Sequence, residues 1–149
     1  MPEPTADTVV GLATPGDELD VRRLLDGAVL EYDALGERIA ADDVLVATDG
    51  EGRIRGVIVL DPDGATGIHD AADIDASTGD VITGTHVTAI VVARRHRDGG
   101  IGTALIETAL QREGRLTAHF DGSVWPFYER LGFERRRLDE DRFVGIRSW

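Results

Sequence analysis

Apolar residues along this chain recur at two spacings, and turn residues mark most changes from one to the other. Val21, Leu24, Leu25, Ala28, Val29 and Tyr32 stand three or four positions apart, which gathers them on one stripe of a helix. The spacing predicts an amphipathic helix over 17–33. It opens at Thr14-Pro15-Gly16-Asp17, where a capping Thr precedes an acid by three residues. Thr8–Ala13 reads as a first strand. Val44–Thr48 and Ile54–Leu60 read as a hairpin around Asp49-Gly50-Glu51-Gly52. A loop rich in Asp, Gly and Ala follows over 61–80. Val81–Val92 is a long strand, broken near Gly84. Helical spacing returns over Gly100–Arg112 and stops at Gly114. Strand Leu116–Phe120, short helix Ser123–Leu131 and a last hairpin complete the order. That hairpin joins Phe133–Leu138 to Phe143–Ser148 around Asp139-Glu140-Asp141. No internal repeat is present. A chain of 149 residues suits one domain over 1–149, long enough to bury a full core.

Composition narrows the chemistry. The chain has no Cys, which excludes disulfides, thiolate metal sites and a cysteine nucleophile. No apolar run approaches the ~20 residues of a membrane span, and Met1–Asp7 is Pro-rich and acidic, unlike a signal peptide. The expectation is a soluble, cytoplasmic protein that uses no membrane. Every base is an Arg: 16 of them against 28 acids, a net charge of −12. The balance is uneven. Residues 1–84 hold 19 acids and 5 Arg, a net of −14, whereas residues 85–149 hold 9 acids and 11 Arg, a net of +2. An acidic, Lys-free surface fits a halophilic protein, kept hydrated and dispersed by its charge. The other reading is a GC-rich genome that replaces Lys with Arg. Either way nucleic acid is not expected as a partner. The Asp-rich loop at 61–80 lacks the calcium-loop pattern. Counted from Asp61, Gly64 is fourth and position twelve is Ala72, where Gly at six and Glu at twelve are needed. It reads as a solvated acidic loop with no metal.

The most informative stretch is Arg97-Asp98-Gly99-Gly100-Ile101-Gly102, between a strand and a helix. Helix N-termini present unpaired N–H groups and partial positive charge, so an anion, above all a phosphate, is the natural occupant. The glycines let the backbone approach it. A Walker loop requires a Lys, which the chain lacks. A dinucleotide fingerprint requires a third Gly where Leu105 stands, which weakens the case for Asp121 as a ribose ligand. What remains is R-x-x-G-x-G, which resembles motif A of the GNAT family of acyl-CoA N-acyltransferases. Downstream, Trp125-Pro126-Phe127-Tyr128-Glu129-Arg130-Leu131-Gly132-Phe133 resembles a second segment of that family. Asp121 or Ser123 is expected to cap this helix, with Pro126 in its first turn and Gly132 at its end. The resemblance covers roughly residues 85–149. It implies an α/β (α+β) fold: a mixed, mostly antiparallel central sheet flanked by helices in a single domain.

The resemblance also implies roles. Arg97, Asp98, Gly99, Gly100, Gly102 and Thr103 would hold the phosphates of acetyl-CoA as cosubstrate, with Arg94, Arg95 and Arg97 at the mouth. Backbone groups of Ile90 and Val92 would bind the pantetheine arm and the acyl carbonyl. Tyr128 would protonate, or hydrogen-bond, the leaving sulfur. Strand alternation puts His86, Thr88, Ile90 and Val92 on one face. His86 there is either the general base, since imidazole titrates near neutrality, or a ring that ends a strand or satisfies the core. His69, His96 and His119 have weaker cases. Two positions depart from the family: Asp121 stands where Asn is common, and Val124 where Ala is usual. Asp121 would be repelled by CoA phosphates and is assigned no binding role. The activity implied is acyl-CoA-dependent N-acyltransfer, from acetyl-CoA to a primary amine of a small molecule by direct attack in a ternary complex. The alternatives are an acetyltransferase for protein N-termini or lysines, and a non-catalytic acyl-CoA sensor. The first helix and the following segment over 35–43 are expected to line the acceptor cleft. Oligomeric state stays open, with a homodimer among the options.

Overall fold

A computed structural model of the protein describes residues 8–27, 35–61, 73–74, 81–82, 84–93, 100–137 and 142–148. Its main sheet has seven strands, mostly antiparallel and flanked by helices. They are β1 (Val9–Leu12), β2 (Val44–Thr48), β3 (Ile54–Asp61), β6 (Thr85–Val92), β7 (Arg115–Asp121), β8 (Glu134–Arg137) and β9 (Arg142–Ser148). The order across the sheet is β1-β2-β3-β6-β7-β9-β8. A separate two-stranded ribbon pairs β4 (Asp73–Ile74) with β5 (Val81–Ile82). The helices are α1 (Glu18–Gly27), α2 (Leu35–Ala40), α3 (Ile101–Glu113) and α4 (Trp125–Arg130). Contacts gather the chain into two compact units: Met1–Leu60 with Ala89–Thr108, and Asp61–Thr88 with Ala109–Trp149.

The first unit is built on aliphatic packing. Thr14 opens its helical segment as the sequence predicts, its N–H and Oγ1 both donating to Asp17 Oδ2 at 2.8 and 3.1 Å. Val21 and Leu25 of α1 and Leu35 and Ile39 of α2 join Val44, Val46, Val57, Val59, Ala89 and Val91 in one cluster. Each fully buried Leu, Ile or Val there is worth roughly 1.5–3 kcal/mol of transfer free energy. The pattern over 35–43 gave no helix, because one turn and a half carries only two inward positions, Leu35 and Ile39. The cluster supplies the rest. β2 and β3 form the expected hairpin, with a register shift that leaves Arg55 as an extra residue opposite Ala47 and Thr48.

The second unit is antiparallel around β7, β9 and β8, with full pairing from Arg115↔Ser148 to Asp121↔Arg142. The parallel pairing of β7 with β6 is short: Thr85 with Leu116 and His86 with Thr117. The break at Gly84 is present, at φ +147°. The expected loop over 61–80 also contributes β4, whose two-residue pairing is too short for periodicity to reveal. Asp61 ends β3 and is buried, whereas most of that acidic stretch lies outside the described residues. No helix among the described residues is long and apolar enough to cross a membrane.

Candidate functional site

In the first unit, the end of β6 and the start of α3 carry the groups that main-chain binding needs. α3 starts after Gly100, which is exposed and adopts φ +81°, a conformation that favours glycine. The Gly100 carbonyl accepts the N–H of Ala104 at 2.9 Å. The N–H groups of Ile101, Gly102 and Thr103 precede that bond, so they have no acceptor within the helix and face out of its positive end. Ile101 is buried at 4 % exposure, and Gly102 is also buried. Thr103 is exposed. At the strand end, Val92 is buried and Ile90 half-buried, and the N–H of Ala93 donates to the Arg55 carbonyl at 2.7 Å.

In the second unit the functional groups are side chains. α4 begins after a short 3-10 turn, Gly122–Val124, and its N-cap residue is Val124 with no side-chain cap. One helical turn runs into the next, and Pro126 stands early in the helix where no N–H is needed. The other end is tightly defined. Phe133 N–H donates to the Tyr128 carbonyl and Gly132 N–H to the Glu129 carbonyl, at 3.1 and 3.0 Å, with Gly132 at φ +85°. This is the Schellman closure, and its usual apolar contact is the edge-on pair Tyr128–Phe133, 5.4 Å between centroids. Arg147 donates to the Leu131 carbonyl at 2.7 Å beside it.

Tyr128 is thereby fixed by backbone below and by rings around it. Phe120 of β7 stacks on it at 4.9 Å and 17°, and Phe127 meets it edge-on at 5.2 Å. Phe120 in turn stacks on Trp125, and the guanidinium of Arg135 lies 5.1 Å from the Trp125 centroid and 4.9 Å from that of Phe143. Burial pushes the Tyr128 phenol above its ordinary 10.0, because the phenolate would lose hydration. Its hydroxyl has no hydrogen-bond partner among the described residues, yet its oxygen is not sealed from solvent. His86 is buried at 8 % exposure. Its Nδ1 lies 3.3 Å from Thr117 Oγ1, and its ring is 4.5 Å from that of His119, tilted by 50°. Three side chains in a row, Thr85, His86 and Val87, are buried. Thr85, Val87, Ala89 and Val91 are all buried whereas Thr88 is exposed and Ile90 half-buried, so in–out alternation holds along β6.

Residues 40–135 match the family described as the acetyltransferase (GNAT) domain, well over half of the chain. The chain belongs to this family. No protein of curated function matches it. Solved structures agree on the fold. A GNAT-family acetyltransferase from Listeria monocytogenes superposes with a TM-score of 0.71 at 14% identity, covering 95% of each chain. Naa20 of Chaetomium thermophilum, solved with a bisubstrate analogue, gives 0.67 at 18% identity over 94% of this chain and 86% of that one. N-acetylglutamate synthase from Neisseria gonorrhoeae, complexed with coenzyme A and L-arginine, gives 0.66 at 18% identity. It covers 95% of this chain and 33% of its own.

Of the residues that the GNAT resemblance singles out, Ile90, Val92, Gly100, Gly102 and Thr103 fall in the first unit, and His86 and Tyr128 in the second. Arg97, Asp98 and Gly99 lie outside the described residues, as do Arg94, Arg95, His69 and His96. No cluster of metal-ligating side chains occurs among the described residues. The sequence reading missed the Phe120 stack under Tyr128. Alternation along β7 and the neighbouring aromatic run were the available signals.

Proposed function

We propose that this GNAT domain transfers the acetyl group of acetyl-CoA to a primary amine of a small molecule, by direct attack while both are bound. The observation that carries this reading is Tyr128: a phenol fixed by three rings and a closed helix end, held protonated by burial, with its hydroxyl uncommitted among the described residues. Acetyl-CoA supplies an activated acyl group whose sulfur departs as a thiolate. A phenol above 10 is a weaker acid than a thiol near ~8.5. Tyr128 therefore donates its hydrogen bond as charge grows on sulfur, when that bond is worth most.

The remaining roles follow from chemistry. The first-turn amides of α3, with Gly100, Gly102 and Thr103, bind phosphate oxygens, and Arg97, Asp98 and Gly99 complete that loop. Main-chain groups of Ile90 and Val92 hold the amide-bearing arm as an added strand would be held. The pairing of β6 with β7 ends at His86, which supports that reading. As the N–C bond forms and the C–S bond breaks, His86 takes the proton that the amine loses, and CoA departs as a thiolate that accepts the Tyr128 hydrogen bond. The chain has no Cys for an acyl-enzyme. A panel of small amines, an N-terminal peptide and a lysine peptide, each with acetyl-CoA and read by thiol release, tests the proposal. Acetylation of a small amine is expected. Release only with a peptide would transfer the assignment to protein substrates, and CoA binding without any release would make the domain a sensor.

A further inference from the structure

The connection between β6 and α3 is anchored at both ends by neighbouring residues of one strand, Arg55 and Gly56. Ahead of the connection, Ala93 N–H donates to the Arg55 carbonyl at 2.7 Å. Behind it, Ile101 is seated over Gly56. A Cβ at position 56 would lie 2.8 Å from Ile101 Cγ2, 3.1 Å from Leu105 Cδ1 and 3.3 Å from the Val91 carbonyl oxygen. Gly56 does not have a positive φ, so its backbone makes no demand for glycine. Glycine within a strand weakens it, which leaves the close approach as the physical reason for it here.

The neighbour that would have to yield is a stiff one. Cγ2 is attached directly to the Cβ of Ile101, and a β-branched residue in a helix has one strongly preferred χ1. Ordinary contact would require several tenths of an ångström more than 2.8 Å, so a methyl at 56 displaces the first turn of α3 rather than a side-chain tip. Half an ångström is about the tolerance of a preorganised binding constellation.

We infer that Gly56 is a positioning residue for acyl-CoA: it touches no ligand, and its missing side chain sets where the α3 amides stand. The inference rests on the proposed assignment of the α3 N-terminus to the CoA phosphates. The test is a double-mutant cycle of Gly56→Ala and Ile101→Leu, which removes Cγ2 and keeps the carbon count, read by calorimetric titration with acetyl-CoA and by melting temperature. Gly56→Ala is expected to weaken acetyl-CoA binding about tenfold or more. Added to Ile101→Leu, the same change is expected to cost less than about threefold, because the colliding methyl is gone. Equal losses in both backgrounds, or a lower melting temperature with unchanged affinity, would overturn the inference. If Gly56→Ala alone does not fold, the comparison of Ile101→Leu with the double variant decides by the same criterion, and a double variant that fails to fold or bind counts against it. Wild-type protein that fails to bind acetyl-CoA would instead remove the phosphate assignment itself.

Discussion

In the first unit the packed side chains are Val, Leu, Ile and Ala, and among the described residues the groups assigned to ligand binding there are main-chain ones. In the second unit Phe120, Phe127 and Phe133 pack on the Tyr128 ring, Trp125 and Phe143 stack on Phe120 in turn, and the assigned groups are side chains. The contrast follows from the two tasks. A polyphosphate is bound by many modest N–H dipoles at a helix end, so an aliphatic scaffold has only to place a backbone. A proton must be delivered at one point in space. Flat rings with few torsions hold a phenol there at low entropic cost. Binding should therefore respond to added bulk near α3, and chemistry to the loss of single atoms near α4.

The largest effect expected is Tyr128→Phe. It removes the hydroxyl and keeps the ring stack, so kcat should fall by ~10²–10⁴-fold with acetyl-CoA affinity little changed. Because burial holds the phenol above 10.0, no basic limb from Tyr128 should appear in the pH–rate profile below that value. Near-wild-type turnover would reduce Tyr128 to packing. Gly102→Val probes the other side of the comparison. It should abolish the thermal stabilisation given by acetyl-CoA while circular dichroism shows α3 intact; equal stabilisation of variant and wild type would place the phosphates elsewhere. Phe120→Ala removes the ring beneath Tyr128 and should cost about 3–5 kcal/mol in denaturant unfolding. It should also lower kcat more than it weakens acetyl-CoA binding, and the reverse order would blur the division of labour.

The smallest effect concerns a turn of the first unit that is built from side chains. Asp49 accepts from Arg55 Nε at 2.8 Å and from the N–H groups of Glu51 and Arg53 at 2.8 and 3.0 Å. The Arg55 bond first, then that from Arg53, lowers its carboxyl to about 2. A depressed carboxylate contributes stability above its unfolded value of 3.8 and loses it as pH falls through 2. Asp49→Asn should therefore melt lower than wild type at pH 5–7, and the gap should close between about pH 4 and 2. A gap independent of pH would show that the turn is held by its backbone alone.

Legibility divided along the same line. Backbone punctuation is local, so the break at Gly84, the stop at Gly114 and the close at Gly132 could be read from sequence, as could the hairpin around Asp49. α2 and the β4–β5 ribbon could not, because each is too short to show a period and α2 exists through Leu35 and Ile39 meeting α1. The turn into α3 was legible from glycine spacing, with Gly100 at φ +81° just ahead of the helix. Tyr128 was visible through a motif, but two of the three rings that hold it, Phe120 and Phe133, come from β7 and the chain after Gly132, which no spacing within α4 reports. Gly56 was invisible for a different reason. A lone glycine in an apolar strand looks like a weakness until its far neighbour, Ile101, is known.

The interleaving of the two units has a consequence for how the chain is made. Residues 1–60 leave the ribosome with α1 and α2, but Ala89 and Val91, which complete their cluster, are translated only after the acidic stretch beyond Asp61. The nascent chain thus carries an open strand edge at β3 through some thirty further rounds of peptide-bond synthesis. The first unit closes once Thr108 has emerged, whereas the second waits for the C-terminal strands. Translation thereby imposes a temporal order, with the aliphatic scaffold of the α3 amides complete before Tyr128 has its aromatic seat.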